Sequence, residues 1–193
     1  MLEKIKYIVS KSINVKQSIY DNNKLIETIE EISYLIIDCF NRKNKVLFCG
    51  NGGSAADAQH LAAEFSGKFY FDRPPLFAEA LHVNTSYLTA VANDYSYNEI
   101  YSRIVQGMGR NGDILIGIST SGNSQNIIKA FKTAKNIGMK TIAFTGEKGG
   151  ELKNICDYLI NVPSDDTPRI QESHIMIGHI ICELVEENLF KNK

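Results

Sequence analysis

The sequence predicts an α/β protein: a three-layer α-β-α sandwich built on a five-stranded parallel sheet, preceded by an N-terminal helical hairpin. Three observations carry that reading. From Lys45 onward, short β-branched or aromatic-rich runs alternate with helical stretches, the pattern of strands joined by crossover helices. Residues 1–42 instead repeat apolar positions at three- and four-residue steps. Finally, 193 residues, 44% of them hydrophobic, suffice for one buried core without disulfide or metal staples, so a single domain spanning 1–193 is expected.

Taken in order, Leu25, Ile26, Ile29, Ile32, Leu35, Ile36, Cys39 and Phe40 mark an amphipathic helix, and "YDNNK" breaks it from the helix before. The hairpin needs a partner surface, and oligomerisation through 1–42 is the expected use. The runs "KVLFCG", "LFAEALHV", "DILIGIS", "KTIAFTG" and "DYLINVP" supply the five strands. Right-handed crossovers then place helices on both faces. A last helix runs from about Thr167 to Phe190, with Ile170, Ile177, Ile180, Ile181, Leu184 and Val185 as its buried stripe. Strand order is not legible.

A formal charge of −1 gives no field of either sign, so neither nucleic acid nor a membrane surface is an expected partner. Cys39, Cys49, Cys156 and Cys182 form no C-x-x-C pair and sit in apolar segments, which suits buried reduced thiols and a cytoplasmic location. Lysines interrupt the N-terminal stretch, so no export signal is expected, and no run approaches eighteen apolar residues.

Ligands of parallel sheets collect where strands end and helix N-termini begin. "CGNGGSAADAQH" is such a junction: Asn51, Gly52 and Gly53 allow tight turning, and Ser54 with Asp57 reads as a variant capping box. Alone, "NGGS" says no more than a β-to-α turn. The second junction, "ISTSGNSQNIIKAF", is sharper. Ser119, Thr120, Ser121 and Ser124 surround Gly122 and Asn123, more hydroxyls than a turn needs and a suitable set for a phosphate dianion. Neither G-x-x-x-x-G-K-[ST] nor G-x-G-x-x-G is present, which argues against common nucleotide sites.

His60 and Glu64 lie four apart, on one face of an alanine-rich helix that neighbours can approach closely. Gln171 and His179 lie eight apart on the last helix. Spacing alone leaves the first pair as either solvated side chains or ligands, and does not bring the two helices together. His82 reads as structural, Tyr95, Tyr97 and Tyr101 as packing on the next helix, and "EKGGELK" as a turn and helix start. His174 is open to a pocket-edge or interface role, and Arg169 to a structural or substrate-side one.

Five separated segments, "CGNGGSAADAQHLAAEFSGKF", "TAVANDYSYNEIYSR", "GDILIGISTSGNSQNIIKA", "TGEKGGELKN" and "TPRIQESHIMIGHIICELVE", resemble the bacterial phosphoheptose isomerases, a branch of the sugar isomerase (SIS) fold. The resemblance covers Lys45 to Glu186 nearly throughout, and the hairpin fits it. It implies isomerisation of sedoheptulose 7-phosphate, a phosphorylated seven-carbon sugar, to heptose 7-phosphate for the activated heptose of lipopolysaccharide or capsule. It also implies a homotetramer with sites at subunit contacts. Carried over residue by residue, it implies that Asn51, Gly52, Gly53, Asn93 and Asp94 line the substrate and that Ser119, Thr120, Ser121 and Ser124 hold its phosphate. His60, Glu64, Gln171 and His179 match zinc ligands, Glu64 and His179 also match acid and base, and Glu64 and Gln171 also touch substrate. Lys68, where many relatives have arginine, and Pro168 depart from the pattern. The alternatives are a noncatalytic SIS protein that binds phosphosugars or a replication initiator, an isomerase of another ketose phosphate, and, more remotely, a nicotinamide dehydrogenase. Retention of Glu64 and His179 favours an enzyme.

Overall fold

A computed structural model describes residues 1–191. Helices α1 (Leu2–Tyr20) and α2 (Asn23–Asn41) form the hairpin, and Asn22 caps the second by accepting from the Leu25 amide at 3.1 Å. The break falls within "YDNNK", where asparagine favours a cap over a helix interior. The alternating part follows as β1 (Val46–Gly50), α3 (Gly53–Ser66), β2 (Ala78–Ala80), α4 (Thr85–Asp94), α5 (Ile100–Met108), β3 (Ile114–Ile118), α6 (Gln125–Ile137), β4 (Lys140–Gly146), β5 (Tyr158–Val162) and α7 (Thr167–Phe190). The five strands make one parallel sheet in the order β2-β1-β3-β4-β5.

Strand alternation sorts the core into two layers, because successive side chains point to opposite faces. Val46, Phe48, Ile116, Ile142 and Phe144 pack with α2, α3 and α7. Leu47, Cys49, Leu115 and Ala143 pack with α5 and α6 on the other face. β1 and β3 are neighbours, with Gly50 opposite Ile118, so the two glycine- and serine-bearing junctions open side by side. All four cysteines are free thiols; Cys39, Cys49 and Cys182 are buried and Cys156 half-buried. Burial pushes the Cys39 thiol up to about 12, which keeps it protonated and inert.

Two positions of the expected α7 stripe do not face the core of this chain. Ile180 and Leu184 are 38% and 40% exposed, and with Ile26 and Tyr34 of α2 they line an apolar groove of about 560 Å³. Helix α1 likewise leaves Leu2, Ile5, Ile8, Val9 and Ile13 exposed. No helix among the described residues is long and apolar enough to cross a membrane.

Candidate active site

Helices α3 and α7 run side by side and in register. Gly53 approaches Gln171, whose Cγ would lie 3.9 Å from an added Cβ. Asp57 Oδ1 accepts from Gln171 Nε2 at 2.6 Å. Two turns further along, Gly178 presses on Leu61 so closely that a Cβ there would meet Leu61 Cδ1 at 2.5 Å. The residue after each of these contacts or just before it carries the chemistry: His60 Nε2 is 2.9 Å from His179 Nε2 and 3.2 Å from Glu64 Oε1.

The three donor atoms lie within 4.8 Å of one another. Two zinc bonds of about 2.0–2.1 Å at a tetrahedral angle put ligand atoms roughly 3.3 Å apart, so this spacing fits a single ion. Two imidazole nitrogens and one carboxylate oxygen are also a donor set that zinc accepts. His60 is exposed, whereas Glu64 and His179 are half-buried, which leaves the cluster open on the His60 side. The Phe69 ring packs on His179 with centroids 5.7 Å apart. Gln171 lies about two turns before His179 on α7, with its amide nitrogen turned to Asp57, one turn before His60 on α3.

Asp57 does not cap α3. That helix begins at Gly53 with Gly52 as its cap and no side-chain cap bond, and Ser54 is buried inside the first turn. The capping-box reading fails because Gly52 takes φ +57°, which starts the helix two residues earlier and turns Asp57 toward α7. Asp57 is 5% exposed and its Oδ2 has no hydrogen-bond partner. Burial raises its pKa, against the opposing pull of the Gln171 hydrogen bond and of His60 and His179.

The loop bearing Phe69 is fixed from beneath. Glu186, 1% exposed, accepts from the amides of Phe69 (2.9 Å), Tyr70 (2.5 Å) and Phe71 (3.0 Å) and from Arg73 Nε (2.9 Å). Burial alone would raise the Glu186 pKa; these donors outweigh it and hold the carboxyl below its ordinary value. Arg73 in turn donates to the Glu64 carbonyl at 2.8 Å, which anchors the end of α3 just where Glu64 projects. Spacing gave no sign of this pair.

At the first junction Asn51 is held by a reciprocal amide pair with buried Asn126 (2.8 and 3.0 Å) and by Tyr97, whose hydroxyl donates to Asn51 Oδ1 at 3.0 Å. Tyr97 is therefore not a packing residue: it is half exposed and reaches the site. Tyr95 is exposed with Arg103 stacked 4.0 Å above its ring, while Tyr101 is buried as expected. Asn93 and Asp94 are exposed and bond to each other at 2.9 Å.

At the second junction two of the four hydroxyls pair, Ser119 Oγ with Ser124 Oγ at 2.9 Å, and Ser121 Oγ accepts from the Asn123 amide at 3.2 Å. Ser124 precedes α6 without a side-chain cap bond; the Ile127 amide is taken by the Ser124 carbonyl and Asn126 Oδ1, which leaves the amides of Gln125 and Asn126 for an anion. The "EKGGELK" segment is a turn, as expected, and it buttresses this loop: Glu151 N donates to Asn123 Oδ1 at 2.9 Å, and Gly122 (φ +69°) leaves no room for a side chain against Gly149. Thr120 and Ser121 line a cleft of about 270 Å³ with Lys148, Thr167 and Ile170.

Three other expectations resolve. His174 is not at a pocket edge: it is fully buried, its Nε2 3.0 Å from the Thr145 carbonyl, and burial lowers its pKa to about 4. Arg169 is structural, donating to the Ile8 carbonyl at 3.1 Å and pairing with Glu172 at 3.1 Å. His82 has a buried Nδ1 without a hydrogen-bond partner, consistent with a structural residue.

The SIS domain family profile matches residues 10–146. The phosphoheptose isomerase of Clostridium acetobutylicum is 56% identical over 96% of this chain and 94% of its own length. That of Aneurinibacillus thermoaerophilus is 53% identical over 100% of this chain and 98% of its own. The chain belongs to the phosphoheptose isomerases of the SIS-domain family. Solved relatives agree: the phosphoheptose isomerase from Francisella tularensis superposes with a TM-score of 0.93 at 37% identity, covering 96% of this chain and 98% of the other. The Neisseria gonorrhoeae enzyme gives 0.90 at 42% identity, with coverage of 96% and 98%. As a member of this family the chain is an isomerase.

Proposed function

We propose that the enzyme converts sedoheptulose 7-phosphate to D-glycero-D-manno-heptose 7-phosphate in the cytoplasm, for the activated heptose of lipopolysaccharide or capsule. In this reading His60, Glu64, Gln171 and His179 hold one zinc ion per subunit. Glu64 is the carbon base and His179 the acid and base at oxygen. The observation that carries it is the meeting of His60, Glu64 and His179 at 2.9 and 3.2 Å across two helices far apart in sequence.

Moving the carbonyl from C2 to C1 requires Glu64 to take a proton from C1, giving an enediol, and to return it to C2. His179 supplies a proton to the C2 oxygen and accepts the one released from the C1 hydroxyl. Positioned groups of this kind each contribute on the order of 10² to 10⁴ in rate. A carboxylate bound to a metal is a weaker base. Glu64, which lies 3.2 Å from His60 Nε2, would hold the ion through one oxygen only and keep the other for the proton. Zinc, when bound, polarises the substrate carbonyl. Asn51, Gly52, Gly53, Asn93, Asp94, Glu64 and Gln171 line the sugar, and Ser119, Thr120, Ser121 and Ser124 with the first amides of α6 grip its phosphate.

The working form is a homotetramer. The apolar groove between α2 and α7, with its exposed Ile26, Tyr34, Ile180 and Leu184, and the exposed stripe of α1 support this. The open side of His60 would then face a subunit contact. The test is chelator-stripped enzyme incubated with sedoheptulose 7-phosphate, with and without added zinc, following aldose formation. Turnover that falls on stripping and returns with zinc is expected; tight binding without turnover at any metal content would overturn the reading.

A further inference from the structure

We propose that Asp57 is a positioning residue of the metal site, acting through Gln171. A carboxylate accepts hydrogen bonds, so the 2.6 Å contact from Gln171 Nε2 to Asp57 Oδ1 turns the amide nitrogen inward and its oxygen away from Asp57. Only the oxygen of a side-chain amide ligates a metal. Asp57 thereby selects the amide orientation in which Gln171 presents a ligand instead of a donor. The inference rests on the zinc reading above.

The placement of Asp57 supports this role. On α3 it stands three residues before His60 and seven before Glu64, so all three share the face turned to α7. It is 5% exposed, yet Oδ2 has no hydrogen-bond partner. A buried, half-satisfied carboxylate is costly to keep for packing alone. Beside a divalent cation the same carboxylate is compensated, and groups that orient a ligand from behind typically tune metal affinity by about 10- to 100-fold.

The experiment measures zinc affinity by calorimetry on chelator-stripped full-length protein, with far-UV circular dichroism as the check of folding. Asp57→Ala should weaken zinc binding by about 10- to 100-fold, and Asp57→Asn, which still offers an oxygen to Gln171 Nε2, should recover most of it. In a Gln171→Ala background the Asp57→Ala change should add no further loss. Unchanged affinity in Asp57→Ala, a full additional loss in the double variant, or no recovery in Asp57→Asn would each overturn the inference while leaving the zinc site intact. Wild-type protein that takes up no zinc would instead bring down the metal reading, and the inference with it.

Discussion

The meeting of His60 and His179 depends on a missing side chain. Gly178 lets α7 lie on Leu61; an added Cβ would sit 2.5 and 2.6 Å from the two Leu61 methyls and 3.1 Å from Cγ. Carbon atoms rest at about 3.5–4.0 Å, so Gly178→Ala forces the helices apart by about 1 Å. Leu61 cannot retreat, because it is 2% exposed and the void beneath it measures about 10 Å³, no more than one water requires. Overpacking of this kind costs about 1–3 kcal/mol. At about 2–4 °C per kcal/mol for a chain of this size, the melting temperature should fall by roughly 2–12 °C. The same shift moves His179 away from a partner at 2.9 Å. A displacement of about 1 Å can cost about 100-fold in turnover. Differential scanning calorimetry and kcat/KM with sedoheptulose 7-phosphate measure both effects. The double variant Gly178→Ala with Leu61→Ala should recover activity, though not stability, since it reopens the seam. A Gly178→Ala protein with wild-type melting and turnover would refute the reasoning.

Glu186→Ala strands Arg73, whose side chain is 2% exposed, without its charge partner. Breaking such a buried pair costs about 3–5 kcal/mol, to be read from urea unfolding, and the freed Phe69 loop should lower kcat as well; a loss under 1 kcal/mol would contradict the clamp. His174, with its pKa lowered to about 4 in the fold, takes up its proton more readily when unfolded. Its contribution is therefore constant above about pH 6.5, declines as pH falls from there, and levels off below about pH 4, a loss of roughly 3 kcal/mol. His174→Gln keeps a donor for the Thr145 carbonyl and should flatten that part of the stability curve. Parallel wild-type and variant curves between pH 7 and 4.5 would exclude His174 as its source.

Much of the fold was legible because the period of the apolar pattern changes at Lys45, and because strands buried on both faces read as short continuous runs. The hairpin break at Asn22 and the span of α7 were legible for similarly local reasons. Ile180 and Leu184 were misread as core, since periodicity reports an apolar face without saying whether the same chain covers it. The site divides along the same line. His60 and Glu64 share a helix face by spacing alone, but their meeting with His179 depends on Gly178 fitting against Leu61, a contact between residues with no local signal. Asn126 and Tyr97 at Asn51, and Glu186 beneath Phe69, were missed for the same reason. The spacing of Ser54 and Asp57 points to a capping box, whereas the positive φ at Gly52 starts the helix two residues earlier and leaves Asp57 to Gln171.

The measurement that bears most directly on the α3–α7 seam as the seat of catalysis is steady-state turnover of sedoheptulose 7-phosphate by Glu64→Gln, zinc-loaded and checked for wild-type secondary structure. The variant keeps the size of the side chain and an oxygen near His60 but has no base. Its kcat should fall by at least about 100-fold, the lower end of what a positioned proton-transfer group contributes. A correctly folded Glu64→Gln enzyme that turns over at close to the wild-type rate would contradict the account.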